Sequence, residues 1–357
     1  WEATLIPLFF MIDRLGGENR QRAALNFFLY TLGGSIFMLV ALLFLYDAAP
    51  GHSFAMADMA AGGQQLSLNM QLLIFAGLFI GFAVKMPVFP LHGWLPLAHV
   101  EAPGPVSILL SGVLLKMGAY GLLRAAETLP GAFAAIQGWL AALALFSLVY
   151  GAVLAWRQQD LKAMVAYSSI SHMGFALLGL TAGTAAGVEA TLIYMAIYVT
   201  MNVGTFAFIL SLERDGQPVT DIAALNMYAK KEPTKALAML VLLFSMAGVP
   251  PMLGFFAKFA VLNAALRAGY VWLVTLGVVA SVIGAFYYLR IVYFMYFGEE
   301  GDGVETRMNA PQWVLLAASA LVMSQGWNKS KSGWCWAMSF SSGRPAAGSS
   351  AVNRAMS

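Results

Sequence analysis

Apolar stretches long enough to cross a lipid bilayer recur along the whole chain, at about 22–46, 68–90, 103–125, 134–156, 162–182, 186–212, 234–268 and 270–297, the seventh of them interrupted. A spanning helix takes about 20 such residues. With no water in the hydrocarbon core, each segment must satisfy its own backbone hydrogen bonds, which the α-helix does. The expected fold class is therefore all-α, a polytopic membrane helix bundle. The chain is 60% hydrophobic and 10% charged over 357 residues, and its mean hydropathy is +0.74. Soluble domains are about 25% charged, so an ordinary soluble enzyme and a disordered regulator are excluded. A net charge of +3 is too small to imply a nucleic-acid partner. The single cysteine, Cys335, excludes an internal disulfide and a thiolate metal cluster.

Both ends differ from this pattern. The opening run WEATLIPLFFMI reaches roughly 18 Å as a helix, short of the bilayer core. The chain also begins at Trp1 without a signal-peptide pattern, so it is expected to start inside a helix and to be N-terminally truncated. The last apolar run, Pro311–Met323, stops short of spanning length. After it the sequence turns rich in Ser, Gly and basic residues and has no Leu or Ile. The expected division is a transmembrane domain over 1–323 and an anomalous polar tail over 324–357, frameshifted or disordered, with no function assigned.

Charge in the connections alternates. Arg14, Arg20 and Arg22, then Arg157 and Lys162, then Arg214, Lys230, Lys231 and Lys235 fall on one side when the spans are counted as above. The other side has the loops 47–67 and 183–189, which lack Lys and Arg, together with Arg124 and Arg267. The positive-inside rule makes the basic side cytoplasmic.

Four charges lie within apolar runs: Glu2, Lys85, Lys116 and Lys258. Each costs about 2.5–3.5 kcal/mol at mid-bilayer and so needs a reason. Snorkelling to the interface competes as an explanation for Lys85 and Lys258, and less for Lys116, which is deepest in sequence. Two of the runs are also broken, one by Pro87 and Pro90, the other by Gly248, Pro250, Pro251 and Gly254. A kinked packing helix is the plain reading. A broken helix beside a buried lysine, met twice, also fits inverted repeats around an ion path near the midplane. His172 sits in an apolar helix with Ser168, Ser169 and Ser171, either as a hydrogen-bonded packing residue or as a proton relay. His92 and His99 flank a turn that ends at Glu101, where a hydrated loop is expected and no set of three or four metal ligands converges. No phosphate-binding, dinucleotide, haem, iron–sulfur or nucleophile motif occurs, so no redox or hydrolytic site, cofactor or metal is expected in this chain.

The stretch FAVKMPVFPLHGWLPLAHVEAPGPVSILLSGVLLKMGAYGLLR (Phe82–Arg124), with DLKAMVAYSSISHMGF (Asp160–Phe175) and FSMAGVPPMLGFFAKF (Phe244–Phe259), resembles the antiporter-like subunits of respiratory complex I, the proton-pumping NADH:quinone oxidoreductase. These are homologous to the large subunits of Mrp-type cation/proton antiporters. The resemblance covers nearly all of 1–323. It implies two inverted repeats, each with a broken transmembrane helix, and places the opening residues in the family's fifth helix. It implies a proton-translocation role for Glu2, paired with Lys85, for Lys116 as the central lysine, for His172 between the halves, and for Lys258 at the second break. It further implies a multi-pass protein of the bacterial inner (plasma) membrane, partnered by other complex I membrane subunits. NADH, FMN, iron–sulfur clusters and quinone would belong to partner subunits of that respiratory-chain complex, which carry the electron transport. The large subunit of an Mrp-type sodium/proton antiporter, or of a membrane-bound hydrogenase, is the alternative. The opening residues look like subunit M, whereas YMAIYVTMNVGTFAFIL and PPMLGFFAKF look like subunit N, and Leu97 stands where the family commonly has aspartate. On balance the chain reads as subunit M-like.

Overall fold

The computed structural model describes residues 1–299 and 304–325. The tail expected over 324–357 lies, from residue 326 on, outside the described residues. A turn of 3₁₀ helix at Glu2–Thr4 leads into α1 (Leu5–Leu15), followed by α2 (Arg20–Ala48), α3 (Met56–Gln65), α4 (Leu68–Lys85) and α5 (Trp94–Glu101). Next come α6 (Gly104–Thr128), α7 (Pro130–Arg157), α8 (Leu161–Thr181) and α9 (Ala185–Ile209). The last four are α10 (Pro233–Ala247), α11 (Leu253–Arg267), α12 (Val271–Phe297) and α13 (Ala310–Ser324). Seven of these, α2, α4, α6, α7, α8, α9 and α12, are long and apolar enough to cross a membrane. The chain is an all-α, polytopic membrane bundle.

Local sequence sets the ends of the helices. Pro130 and Pro233 open α7 and α10, where the missing N–H costs nothing. The Asp160 carboxylate accepts from Ala163 N at 2.8 Å and caps α8. Thr184 caps α9 by accepting from Gly187 N at 3.1 Å. Asn309 and Gln312 form a reciprocal capping box on α13.

The bundle is built around α8, which is buried along nearly its whole length, whereas α2 and α12 turn large apolar side chains outward. Packing of α7 on α8 depends on close backbone approach. A Cβ at Gly174 would stand 2.8 Å from Ala144 O and Leu148 N.

The basic connections gather on one face. Leu161 N donates to Thr220 O, Ile222 N to Gln159 O and Met227 N to Phe294 O. Arg290 donates to the Trp156 and Gln158 carbonyls. The polar connection after α9, read from sequence as a loop, includes a strand Leu212–Arg214 lying antiparallel between Gln217–Pro218 and Glu305–Thr306. Lys235 ties α10 to this sheet through the Thr306 hydroxyl at 2.8 Å and pairs with Glu232 at 3.0 Å. Tyr228 meets the same Thr306 hydroxyl, and burial pushes its phenol pKa up, so it stays protonated. On the opposite face, α3 forms inside the 47–67 connection, where the sequence reading had only a loop.

Two spans are broken at the expected places; the first continues past the expected run 68–90 into α5, and the second joins α10 to α11. The first starts on the Lys/Arg-poor face and ends at Glu101, whose carboxylate accepts from Asn19 N at 3.1 Å on the basic face. The second starts beside Lys235 on the basic face and ends at Arg267 on the other. They therefore run in opposite directions through the bundle, as inverted repeats require.

Candidate functional site

The first break follows Lys85, which is 1% exposed. Pro87 and Pro90 remove backbone donors here, and the freed carbonyls find other partners. Val84 O, for example, accepts from the Trp94 indole at 2.8 Å. The Lys85 ammonium donates to the Thr4 hydroxyl at 3.3 Å and stands 4.6 Å from the Trp1 ring centroid. Glu2 lies on the same short turn as Thr4, exposed and within electrostatic reach of Lys85, but it forms no ion pair with Lys85 among the described residues. Thr4 takes the hydrogen-bonding position that the resemblance gave to a carboxylate.

Lys116 sits in α6 just past a π turn at Leu110–Leu114. The wider turn shifts the hydrogen-bond ladder, and the Lys116 ammonium donates to the Ser111 carbonyl. The same ammonium lies 4.1 Å above the centroid of the Tyr198 ring.

Tyr198 continues the row. Its ring stacks on the His172 imidazole at 4.5 Å and 27°. His172 is 2% exposed at the middle of α8. Its Nδ1 meets the Tyr194 hydroxyl at 2.6 Å and its Nε2 meets the Tyr288 hydroxyl at 3.1 Å. A neutral imidazole has one donor and one acceptor nitrogen, so one tyrosine accepts while the other donates. The site is a fully hydrogen-bonded interior cluster made by α8, α9 and α12.

Lys258 stands at the second break, 7% exposed. Gly248, at φ +84°, ends α10 in the left-handed region, and Gly254 begins α11 so close that a Cβ would meet Ser245 O at 1.9 Å. That leaves the final carbonyls of α10 without helical partners. Lys258 donates to two of them, Met246 O at 2.9 Å and Ala247 O at 3.0 Å, and to the Ser281 hydroxyl at 3.3 Å. Its ammonium also faces the Phe175 ring at 5.4 Å, and Phe175 lies 6.0 Å from the Tyr194 ring.

The structure also corrects the expectation for the segment after the first break. His92 and His99 do not sit in a hydrated loop. The chain continues through the bundle after the first break instead of leaving it, which buries both. His99, 0% exposed on α5, stacks on Phe206 at 5.3 Å and 12°, and neither of its ring nitrogens has a hydrogen-bond partner among the described residues. His92 packs against Tyr150 and Phe89. No cluster of three or more potential metal ligands occurs among the described residues.

The sequence reading missed Tyr194, Tyr198 and Tyr288. A signal was present for two of them. Tyr194 and Tyr198 are four residues apart on an apolar helix, which puts both hydroxyls on one face. The same reading placed Lys162 only among the charges of a connection, whereas its ammonium donates to the Val100 and Ala102 carbonyls and ties α8 to the end of α5.

Two oppositely directed broken helices, each meeting a buried lysine, and a buried central helix carrying a hydrogen-bonded histidine define a polytopic membrane protein that holds ionisable groups in its interior. Residues 1–284 match the model of the NADH:quinone oxidoreductase/Mrp antiporter transmembrane family, and the chain belongs to that family. It is 53% identical over 293 residues to NADH-quinone oxidoreductase subunit N of Rhodobacter capsulatus, covering 80% of this chain and 61% of that protein. It is 49% identical over 321 residues to subunit N of Jannaschia sp. (strain CCS1), covering 88% and 65%. Against subunit M of Rickettsia typhi the identity is 34% over 300 residues, covering 84% and 60%. The chain thus spans less than two thirds of the length of these curated relatives. A chain of respiratory complex I from Thermus thermophilus, solved with bound NADH, superposes with a TM-score of 0.82 at 33% identity, over 91% of this chain and 69% of that one. The opening residues had tipped the reading toward subunit M. The higher identities to subunit N shift the balance to N, the side to which the second half already pointed.

Proposed function

We propose that the chain is a proton-translocating membrane subunit of an NADH:quinone oxidoreductase, set in a bacterial inner membrane among the other membrane subunits of complex I. The observation that carries this reading is the continuous interior row from Lys116 through Tyr198 and His172 to Tyr194 and Tyr288, reaching toward Lys258 through Phe175. Lysines and a histidine placed where charge is expensive have a function by default in a membrane protein. In this reading Glu2 tunes Lys85, Lys85 exchanges protons with Lys116, His172 relays them between the halves, and Lys258 is the terminal group. Unpaired neighbours, carboxylates and hydration each change the balance between ammonium and amine, and a shift of one pKa unit corresponds to about 1.4 kcal/mol. Small changes of partner are therefore enough to move a proton along the row. This chain acts as a non-redox translocase subunit. NADH, FMN, iron–sulfur clusters and quinone are held by partner subunits, whose electron transfer drives the row.

Gentle solubilisation of native membranes and isolation of this chain tests the assignment. Co-isolation with flavin- and iron–sulfur-containing subunits and with NADH:quinone activity is the expected result. Recovery with small membrane subunits alone, and no redox centre, would overturn it in favour of an Mrp-type sodium/proton antiporter.

A further inference from the structure

His99 is a buried titratable side chain that the interior row leaves out. It is 0% exposed near the end of α5, and neither ring nitrogen has a hydrogen-bond partner among the described residues. Packing alone does not call for it. A phenyl ring would stack on Phe206 as the imidazole does and would bury no unpaired polar atom.

Its depth in the bundle gives a reason. On α9, Tyr198, Asn202 and Phe206 follow one another at intervals of four residues, all on one face, and α9 runs toward the basic side. The Lys116 ammonium lies over the Tyr198 ring, whereas the His99 ring lies on Phe206. His99 therefore stands about 12 Å nearer the basic face than Lys116, measured along the axis of α9. At that face Lys162 holds the Val100 and Ala102 carbonyls, which follow His99 in the chain, beside the Glu101 and Asp160 carboxylates. His99 is within electrostatic reach of both Lys162 and Lys116. Asn202, also 0% exposed, lies on α9 between the levels of the two groups and reaches the Tyr198 hydroxyl. The interval from His99 to Lys116 is thus bordered by a polar side chain.

We propose that His99 is the proton-accepting site through which the basic face supplies Lys116. Lys162 and its two carboxylates stand at the entrance. His99 takes the proton on a ring nitrogen that no neighbouring group occupies, and the other ring nitrogen gives its proton up toward the Lys116 amine, past Asn202. Imidazole can accept at one nitrogen and donate from the other. A proton on His99 and a proton on Lys116 repel each other, so the two sites fill in turn: His99 refills Lys116 after Lys116 has passed its own proton on. This inference rests on the proton-path reading above and adds its entry from the basic face.

The test uses the whole complex in sealed inverted vesicles, with the basic face outside, and reads protons translocated per NADH oxidised at equal bound flavin. His99→Phe keeps a flat ring on Phe206 and is expected to assemble at least as well as the parent, because it buries no unpaired nitrogen. Transfer through this chain is expected to slow by about a hundredfold or more, so the ratio should fall by the same step as in Lys116→Ala. Adding Lys116→Ala to His99→Phe is expected to lower the ratio no further than Lys116→Ala alone, since both residues serve one route. His99→Leu serves in place of phenylalanine if that chain does not assemble. Failure of both to assemble would make the imidazole a structural group and overturn the proposal. A further fall in the double variant would reveal a separate packing defect and overturn it as well. A parental ratio in His99→Phe beside a lowered one in Lys116→Ala would overturn the entry site alone. A parental ratio in Lys116→Ala would overturn the proton path itself.

Discussion

Replacing Lys258 by alanine is expected to stop proton pumping and to loosen the second broken helix. The two effects have separate causes. The break between α10 and α11 leaves the Met246 and Ala247 carbonyls without helical partners, and the Lys258 ammonium satisfies both. Each buried acceptor left unpaired costs about 1–3 kcal/mol. A polar vacancy among apolar side chains is not easily relieved in lipid. The assembled complex carrying Lys258→Ala should therefore melt several degrees below the parent. The variant also lacks the only ionisable side chain of the second break, so vesicles oxidising NADH should acidify far less. Parental acidification with Lys258→Ala would contradict the role given to this residue, whatever its melting temperature.

His172 is the second large effect. His172→Leu fills a similar volume but leaves the Tyr194 and Tyr288 hydroxyls without their buried partner. It also removes from the interior row a ring that can both accept and donate a proton. Loss of a positioned acid–base group slows transfer by about a hundredfold or more, enough to end net pumping. His172→Gln separates the two contributions. Its amide can accept from one tyrosine and donate to the other, so assembly should recover while pumping stays lost. Pumping restored by glutamine would show that His172 acts as a packing group, the plain alternative that its sequence position left open. The measurement is NADH-driven acidification of vesicles beside the amount of assembled complex.

Much of this was legible before any coordinates. The long apolar runs give the presence and order of α2, α4, α6, α7, α8, α9 and α12, with ends off by a few residues, because in lipid a run of that length has one way to satisfy its backbone. The breaks were legible from Pro87, Pro90, Pro250 and Pro251, and the lysines from their cost. What was lost depends on tertiary packing. The π turn in α6 leaves no mark in LSGVL, yet it sets where Lys116 points. Tyr198 and Tyr288 lie 26 and 116 residues from His172, and only the folding of α9 and α12 onto α8 brings them together. His99 misled for the opposite reason: in LHGWLPLAHVEAP the prolines, the glycine, the histidines and the glutamate look like an exit from the membrane, whereas the chain continues through the bundle as α5 and buries the ring against Phe206. Glu2, read as the partner of Lys85, lies within electrostatic reach of it, while the hydrogen bond from Lys85 goes to the Thr4 hydroxyl of the same turn.

The central claim is that protons cross through the ionisable interior of this chain while electrons travel elsewhere. The most direct measurement is the number of protons translocated per NADH oxidised, in sealed vesicles, by complexes carrying Lys116→Ala and by the parent, with the chain quantified in both membranes. The polar contacts of Lys116 among the described residues are the Ser111 carbonyl and the Tyr198 face, so its removal should leave the chain in the membrane and the flavin-bearing subunits attached. The account predicts a clear fall in the proton-to-NADH ratio at equal chain content. An unchanged ratio would contradict it.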